Sequence, residues 1–224
     1  MDAGQVKAVD WNEFLARARA GVDWGKLDSV AESLPLKKHP SFADYLNVET
    51  WFQKFWHTEV TRLELERSPP LRILDLGTGP GFFPYLCRCL GHKALGLERA
   101  PGLQGFHEWM RVAVVYYAIG PRLLMPDFPV RFDLVSSFRV PFNKKEETGK
   151  KNKRELFDLK EWEFFLDDIR DNVLRPGGRF TLKMNAQPGH LGLRYGDPEL
   201  MDYFASRGAL PNQPDKYVTF DPLK

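Results

Sequence analysis

Two carboxylates and three glycines carry the most chemistry in this chain of 224 residues. The run Leu71-Arg72-Ile73-Leu74 leads into Asp75, after which Gly77, Gly79 and Gly81 alternate with Thr78 and Pro80. A second short apolar run, Leu95-Gly96-Leu97, leads into Glu98. A glycine turn at the carboxyl end of a parallel strand lets a ligand lie against bare main chain and point at a helix N-terminus. A carboxylate ending the next strand suits a ribose, because it can accept hydrogen bonds from both hydroxyls. Together they read as a nucleoside site.

The glycine spacing narrows the nucleoside. The dinucleotide fingerprint is G-x-G-x-x-G, and the position of its third glycine is held here by Phe82. The chain has G-x-G-x-G instead, with Asp75 two residues before the first glycine. A carboxylate under the turn would repel a pyrophosphate and favour a cation, such as the amino group of a methionine tail.

The elements that must hold these residues follow from the pattern around them. Pro69-Pro70 breaks the chain just before the first strand, dividing a helical extension over 1–68 from an α/β domain over 69–224. In the extension, 11–20 and 26–34 have helical patterns ended by Gly21 and Pro35, and Ser41 with Asp44 resembles a capping box. Val48, Trp51, Phe52, Phe55, Trp56, Val60 and Leu63 share one helical face, a stripe suited to the core, with Trp51, Phe52 and Trp56 candidates for a substrate wall. His57 falls on the polar side. Beyond the glycines, a helix from Phe82 stops at Gly91, Lys93 to Leu97 form a strand, 103–111 a helix and Val112 to Ile119 a third strand. Alternating strands and helices predict a doubly wound, Rossmann-like α/β sheet, mostly parallel, with ligands at the carboxyl ends of its strands.

With these elements in place, the Asp75-x-Gly77-x-Gly79-x-Gly81 motif resembles that of the class I S-adenosylmethionine-dependent methyltransferases. Phe132-Asp133-Leu134-Val135 resembles their fourth strand, and Leu174-Arg175-Pro176-Gly177-Gly178-Arg179-Phe180 the approach to their fifth. The likeness covers roughly 71–208. It implies S-adenosyl-L-methionine as cofactor, held around Asp75, Gly77, Thr78, Gly79, Gly81, Phe82 and Arg99, with Glu98 at the ribose. It further implies Ala118 and Ile119 at the adenine, and Ser137 with Phe138 near the methionine moiety. The sheet would have seven strands or, since 208–216 holds two prolines and little strand character, a reduced C-terminal hairpin. Related enzymes often place an acidic residue at the adenine. Here there is none, leaving main-chain groups or Asp127 to serve.

The reacting groups are less legible. The Asn/Asp-Pro-Pro-Tyr/Phe signature of amide methylation is replaced by Ser136-Ser137-Phe138-Arg139, and no metal triad is recognisable. Among the histidines His39, His57, His92, His107 and His190, the last follows the fifth strand beside Asn185 and Tyr195 and could act as a base, although loop decoration is the simpler reading. Arg139 and Asn143 could orient a polar acceptor. A lysine-rich stretch from Lys144 to Lys160, with seven basic and four acidic residues, reads as a flexible loop or a lid.

Composition limits the alternatives. A net charge of +2 argues against broad nucleic-acid binding, and no apolar run is long enough to span a membrane. Cys87 and Cys89 are too few for a disulfide framework or a zinc site, and the amino terminus has no signal-peptide pattern, so a cytoplasmic protein is expected. The leading expectation is methyl transfer to a small polar molecule, such as a natural-product or saccharide intermediate. Its rivals are a protein or RNA methyltransferase using the lysine-rich loop, a non-catalytic cofactor-binding scaffold, and a nicotinamide-dependent oxidoreductase.

Overall fold

The computed structural model describes residues 9–138, 140–144, 155–184, 193–210 and 216–224. The chain divides into two compact units, Met1–Tyr116 and Tyr117–Lys224. Among the described residues, the strands β1 (Arg72–Leu76), β2 (Lys93–Glu98), β3 (Val114–Tyr116), β4 (Phe132–Phe138), β7 (Leu174–Lys183) and β8 (Tyr217–Phe220) form one sheet in the order β3-β2-β1-β4-β7-β8, and β5 (Asn143–Lys144) with β6 (Glu155–Leu156) forms a separate two-stranded ribbon.

The first unit contributes β1 (Arg72–Leu76), β2 (Lys93–Glu98) and β3 (Val114–Tyr116), paired in parallel. Its helices are α1 (Trp11–Ala20), α2 (Leu27–Ser33), α3 (Val48–Phe55), α4 (Phe82–Cys89) and α5 (Gln104–Trp109). Asp10 caps α1 by accepting from the N–H groups of Asn12 and Glu13. The aromatic stripe is core, as its spacing predicts: Val48, Phe52, Trp56, Val60 and Leu63 are buried. Phe14 packs on Trp56 with ring centroids 4.3 Å apart, and Phe52 stacks on Tyr85 at 5.4 Å. The Tyr85 hydroxyl donates to the Ala18 carbonyl at 2.5 Å, and burial raises its pKa well above the usual phenol value. These contacts fix the helical extension on α4. After α3 the helix widens into a π turn, Trp56–Val60. His92 then ties the extension to the sheet: its Nδ1 accepts from the Leu71 N–H, and its Nε2 donates to the Leu65 carbonyl, both at 3.1 Å.

Two local expectations are corrected here. Ser41 and Asp44 do not open a capped helix; Pro40–Leu46 is a 3₁₀ helix with no side-chain cap, its start set by Pro40, whose ring fixes the first turn. The third strand is three residues long rather than eight. It ends at Tyr116 because its partner β2 ends at Glu98, the residue in register with it. Ala118 and Ile119 therefore lie beyond the strand, in a segment without regular structure.

The second unit holds β4 (Phe132–Phe138), β5 (Asn143–Lys144), β6 (Glu155–Leu156), α6 (Leu159–Asp168), β7 (Leu174–Lys183), α7 (Pro198–Ser206) and β8 (Tyr217–Phe220). Strands β4 and β7 are parallel, and β8 runs antiparallel to β7. The expected capping box is present on α6: Asp158 accepts from the Glu161 N–H and Glu161 from the Asp158 N–H, at 3.0 and 2.9 Å. Phe157 and Trp162 close the staple with centroids 5.6 Å apart. Among the described residues the C-terminal hairpin is reduced, one of the two forms expected. Beyond β8 it retains, among the described residues, a single bridge between Ala209 and Phe220. Cross-strand pairs fasten this edge, with Phe180 stacked on Phe220 and the Thr181 and Thr219 hydroxyls 3.0 Å apart.

Candidate functional site

The site in the first unit is built on the turn between β1 and α4. Gly77, Gly79 and Gly81 all have positive φ, at 64°, 58° and 87°, a conformation that disfavours a side chain. The turn is fastened to the neighbouring strand by the Thr78 N–H, which donates to the Leu97 carbonyl at 3.0 Å. Thr78 also packs directly over Gly96: a Cβ on Gly96 would stand 2.7 Å from its methyl carbon. The glycine in β2 is thus a requirement of close approach. The Thr78 hydroxyl is buried and has no hydrogen-bond partner among the described residues.

Glu98 is buried where β2 ends, and main-chain donors surround its carboxylate. One oxygen accepts from the Gly79 N–H at 2.7 Å, and the other from the N–H groups of Arg99 and Ala100, both at 2.8 Å. Such charge-assisted bonds are the strong ones. Arg99 reaches this carboxylate through its main chain, while its side chain is exposed. Glu98 is therefore not the surface partner of Arg99 or Lys93 that a bland reading of the sequence would allow. Asp75 lies under the turn, buried, at the β1 position in register with Gly96.

His107 on α5 completes the arrangement, and sequence reasoning missed it. Its Nε2 lies 2.7 Å from the Gly79 carbonyl and its Nδ1 2.9 Å from the Tyr116 hydroxyl. The imidazole is buried, and its pKa is lowered chiefly by that burial, against the opposing pull of the Gly79 carbonyl, Glu98 and Glu108. The only hint in the sequence was a histidine on the helix after the second strand, one of five with no motif around it.

The N-terminal extension reaches the turn through Tyr45, whose hydroxyl is the nearest group, at 4.0 Å, to the place a Cβ on Gly79 would occupy. Tyr45 belongs to an aromatic cluster with Trp51, Phe82 and Phe106. Trp51 is half-buried; its indole N–H donates to the Asp44 carbonyl at 2.9 Å, and Lys54 sits over its ring. Phe82 is buried in the same cluster, stacked on Trp51 at 6.2 Å, so its ring is core and only its main chain adjoins the turn. Phe52 and Trp56, the other wall candidates, are buried as well.

No protein-family model and no curated protein matches the sequence. Solved structures do. The 1,6-didemethyltoxoflavin-N1-methyltransferase of Burkholderia thailandensis, solved with 1,6-didemethyltoxoflavin and S-adenosylhomocysteine bound, is similar over 100% of this chain and 98% of its own, with TM-score 0.51 and 18% identity. A TehB-like S-adenosylmethionine-dependent methyltransferase from Corynebacterium glutamicum covers 81% of this chain and 99% of its own, with TM-score 0.50 and 16% identity. The fold is that of the class I methyltransferases. At such identities the likeness is one of fold, and it fits the glycine turn and strand order already described.

Within this methyltransferase fold, the residues expected in the second unit are placed as follows. Ser137 is fully buried next to the end of β4, and its hydroxyl lacks a hydrogen-bond partner among the described residues. Ala118 is exposed and Ile119 half-buried beyond β3, so the strand-end position they were expected to fill belongs to Tyr116. Asn143 is half-buried on β5, its N–H donating to the Pro141 carbonyl at 2.7 Å. Arg139 and His190 lie outside the described residues, as does most of the lysine-rich loop. Among the described residues, no cluster of histidine, cysteine or carboxylate groups could hold a metal, and no helix is long and apolar enough to cross a membrane.

Proposed function

We propose that this chain is an S-adenosylmethionine-dependent methyltransferase acting on a small polar acceptor. The observation that carries the proposal is the glycine turn beside Glu98. A Cβ on Gly79 would meet nothing nearer than the Tyr45 hydroxyl at 4.0 Å, and hydrogen bonds hold both main-chain polar groups of Gly79. The residues fit the cofactor. Main-chain N–H groups take both lone-pair sites of Glu98 Oε1 and one of Oε2, which leaves Oε2 one site for a ribose hydroxyl. The Thr78 hydroxyl offers a further polar contact, and the buried Asp75, two residues before Gly77, would offer a carboxylate to an amino group. Gly77, Gly79, Gly81 and Arg99 would contribute main chain, and Phe82 its N–H.

Bound there, the cofactor supplies an electrophilic methyl group on a sulfonium. What the chain does is align and desolvate, the contributions by which positioning alone lowers a barrier. The small-acceptor reading draws support from the fold neighbour solved with 1,6-didemethyltoxoflavin, and from a net charge of only +2.

The test is calorimetric titration with S-adenosylmethionine and S-adenosylhomocysteine, with NAD as control. Micromolar binding of both sulfur ligands and none of NAD is expected; silence from both would refute the cofactor assignment. Turnover on small acceptor pools that is insensitive to salt would then support the acceptor class. A steep fall with salt would favour a macromolecular acceptor.

A further inference from the structure

Gly79 is held by both of its main-chain polar groups, a feature with no signature in the glycine motif itself. Its N–H donates to Glu98 and its carbonyl faces His107 Nε2, at 2.7 Å in each case. A carbonyl can only accept, so Nε2 must carry the proton. The neutral imidazole then has an unprotonated Nδ1, and the Tyr116 hydroxyl must donate to it across 2.9 Å. The direction of each hydrogen bond is thereby fixed, from Tyr116 through His107 to the turn. His107 also supports the turn sterically, since its ring carbon lies 3.3 Å from where a Cβ on Gly81 would stand.

We propose that His107 is a positioning residue for nucleoside binding: it sets the Gly79 peptide in its binding shape before the ligand arrives, with Tyr116 fixing its tautomer. The inference rests on the nucleoside reading above. A glycine with φ of 58° has many alternatives open to it in an unrestrained loop. Binding to an unrestrained turn would have to order it, and the His107 and Glu98 hydrogen bonds remove that cost beforehand. Glu98 and His107 are thus two halves of one clamp, and only the first was recognisable in sequence.

The experiment compares the full chain with His107→Leu, His107→Gln and Tyr116→Phe. Two quantities are measured: affinity for S-adenosylhomocysteine, at a temperature well below every melting midpoint, and hydrogen exchange of the Gly79 amide without ligand. Leucine fills space but cannot donate. It should weaken binding about tenfold, as expected for loss of one net hydrogen bond, and speed exchange at Gly79. Glutamine can place an N–H near Nε2 and should stay within about threefold of the wild type. A leucine variant with a lowered midpoint but unchanged affinity and exchange would make His107 merely structural, and overturn the proposal.

If wild-type protein binds no S-adenosylhomocysteine, the functional reading fails by itself, and the exchange data still decide the clamp. Protection at Gly79 in the wild type and the glutamine variant, lost with leucine, supports it; equal protection in all three refutes it. Should the leucine variant not fold, Tyr116→Phe removes only a hydroxyl from a ring that is 43% exposed. It should weaken binding about threefold and loosen Gly79, and no change in either would count against the clamp.

Discussion

Glu98→Gln is the most discriminating substitution this site offers, because it keeps shape and changes only charge and hydrogen-bond character. The carboxylate meets three main-chain donors, one on Oε2 and two on Oε1, at 2.7 to 2.8 Å. An amide has a single oxygen. If that oxygen keeps Arg99 and Ala100, its NH₂ group must face the Gly79 N–H, donor against donor. The opposite flip rescues Gly79 and sets the NH₂ against two donors. The less costly arrangement loses one charge-assisted bond and leaves a buried N–H unmet, about 2 to 3 kcal/mol. For a chain of this size that corresponds to a fall in melting midpoint of about 5 to 10 °C. S-adenosylhomocysteine affinity should fall by about tenfold or more, since the ribose loses an acceptor and the turn loses half of its clamp. Differential scanning fluorimetry and calorimetry read the two effects separately. A glutamine variant melting within about 1 °C of wild type and binding equally well would show that the carboxylate neither holds the turn nor meets the ligand.

Three further outcomes follow from the same geometry. Gly96→Ala would press a methyl to 2.7 Å from the Thr78 methyl and 3.2 Å from Val114, and should cost about 1 to 3 kcal/mol, measurable by urea unfolding. Burial lowers the pKa of both His92 and His107, so below about pH 6.5 the unfolded chain takes up protons that the folded one refuses. The stability these two contribute is complete above that pH and is lost as pH falls toward their folded values; melting midpoints from pH 8 to 5 should show it, with a shallower slope in His107→Gln. Cys87 is fully buried, with burial pushing its thiol up, so a thiol reagent at neutral pH should find at most Cys89 in native protein and both after unfolding.

What the sequence made legible and what it hid divide along one physical line. Patterns written in consecutive residues could be read: the glycine turn, the strand ending in Glu98, the capping box of Asp158 and Glu161, and the staple of Phe157 and Trp162. Each is enforced by local geometry, where spacing along the chain equals proximity in space. The third strand was misjudged because its β-branched and aromatic residues continue past the point where β2 stops offering partners. Strand propensity describes a residue's fitness for a sheet, whereas the length of the sheet is set by the neighbour.

The same distinction explains why His107 escaped notice while Glu98 did not. Glu98 is marked by standing at a strand's end, a position readable in one dimension. His107 acquires its role from a carbonyl 28 residues earlier and a hydroxyl nine residues later, a pairing that exists only once α5 has packed beside β3. Trp51 presents the opposite case. Its aromatic face suggested a substrate wall, yet its indole N–H is committed to Asp44 and its ring to Phe82 and Lys54. A side chain whose polar group is already engaged has less to offer a ligand than one, like the Thr78 hydroxyl, that folding has buried and left without a partner. Unmet hydrogen-bonding capacity therefore nominates Thr78 at the glycine turn ahead of the aromatic stripe, and Thr78→Val tests that choice directly. Removing that hydroxyl should leave stability unchanged or raise it, because no hydrogen bond is lost on folding. If Thr78 meets the ligand, S-adenosylhomocysteine affinity should nonetheless fall severalfold; a variant that is more stable and binds equally well would confine the site to the main chain and Glu98.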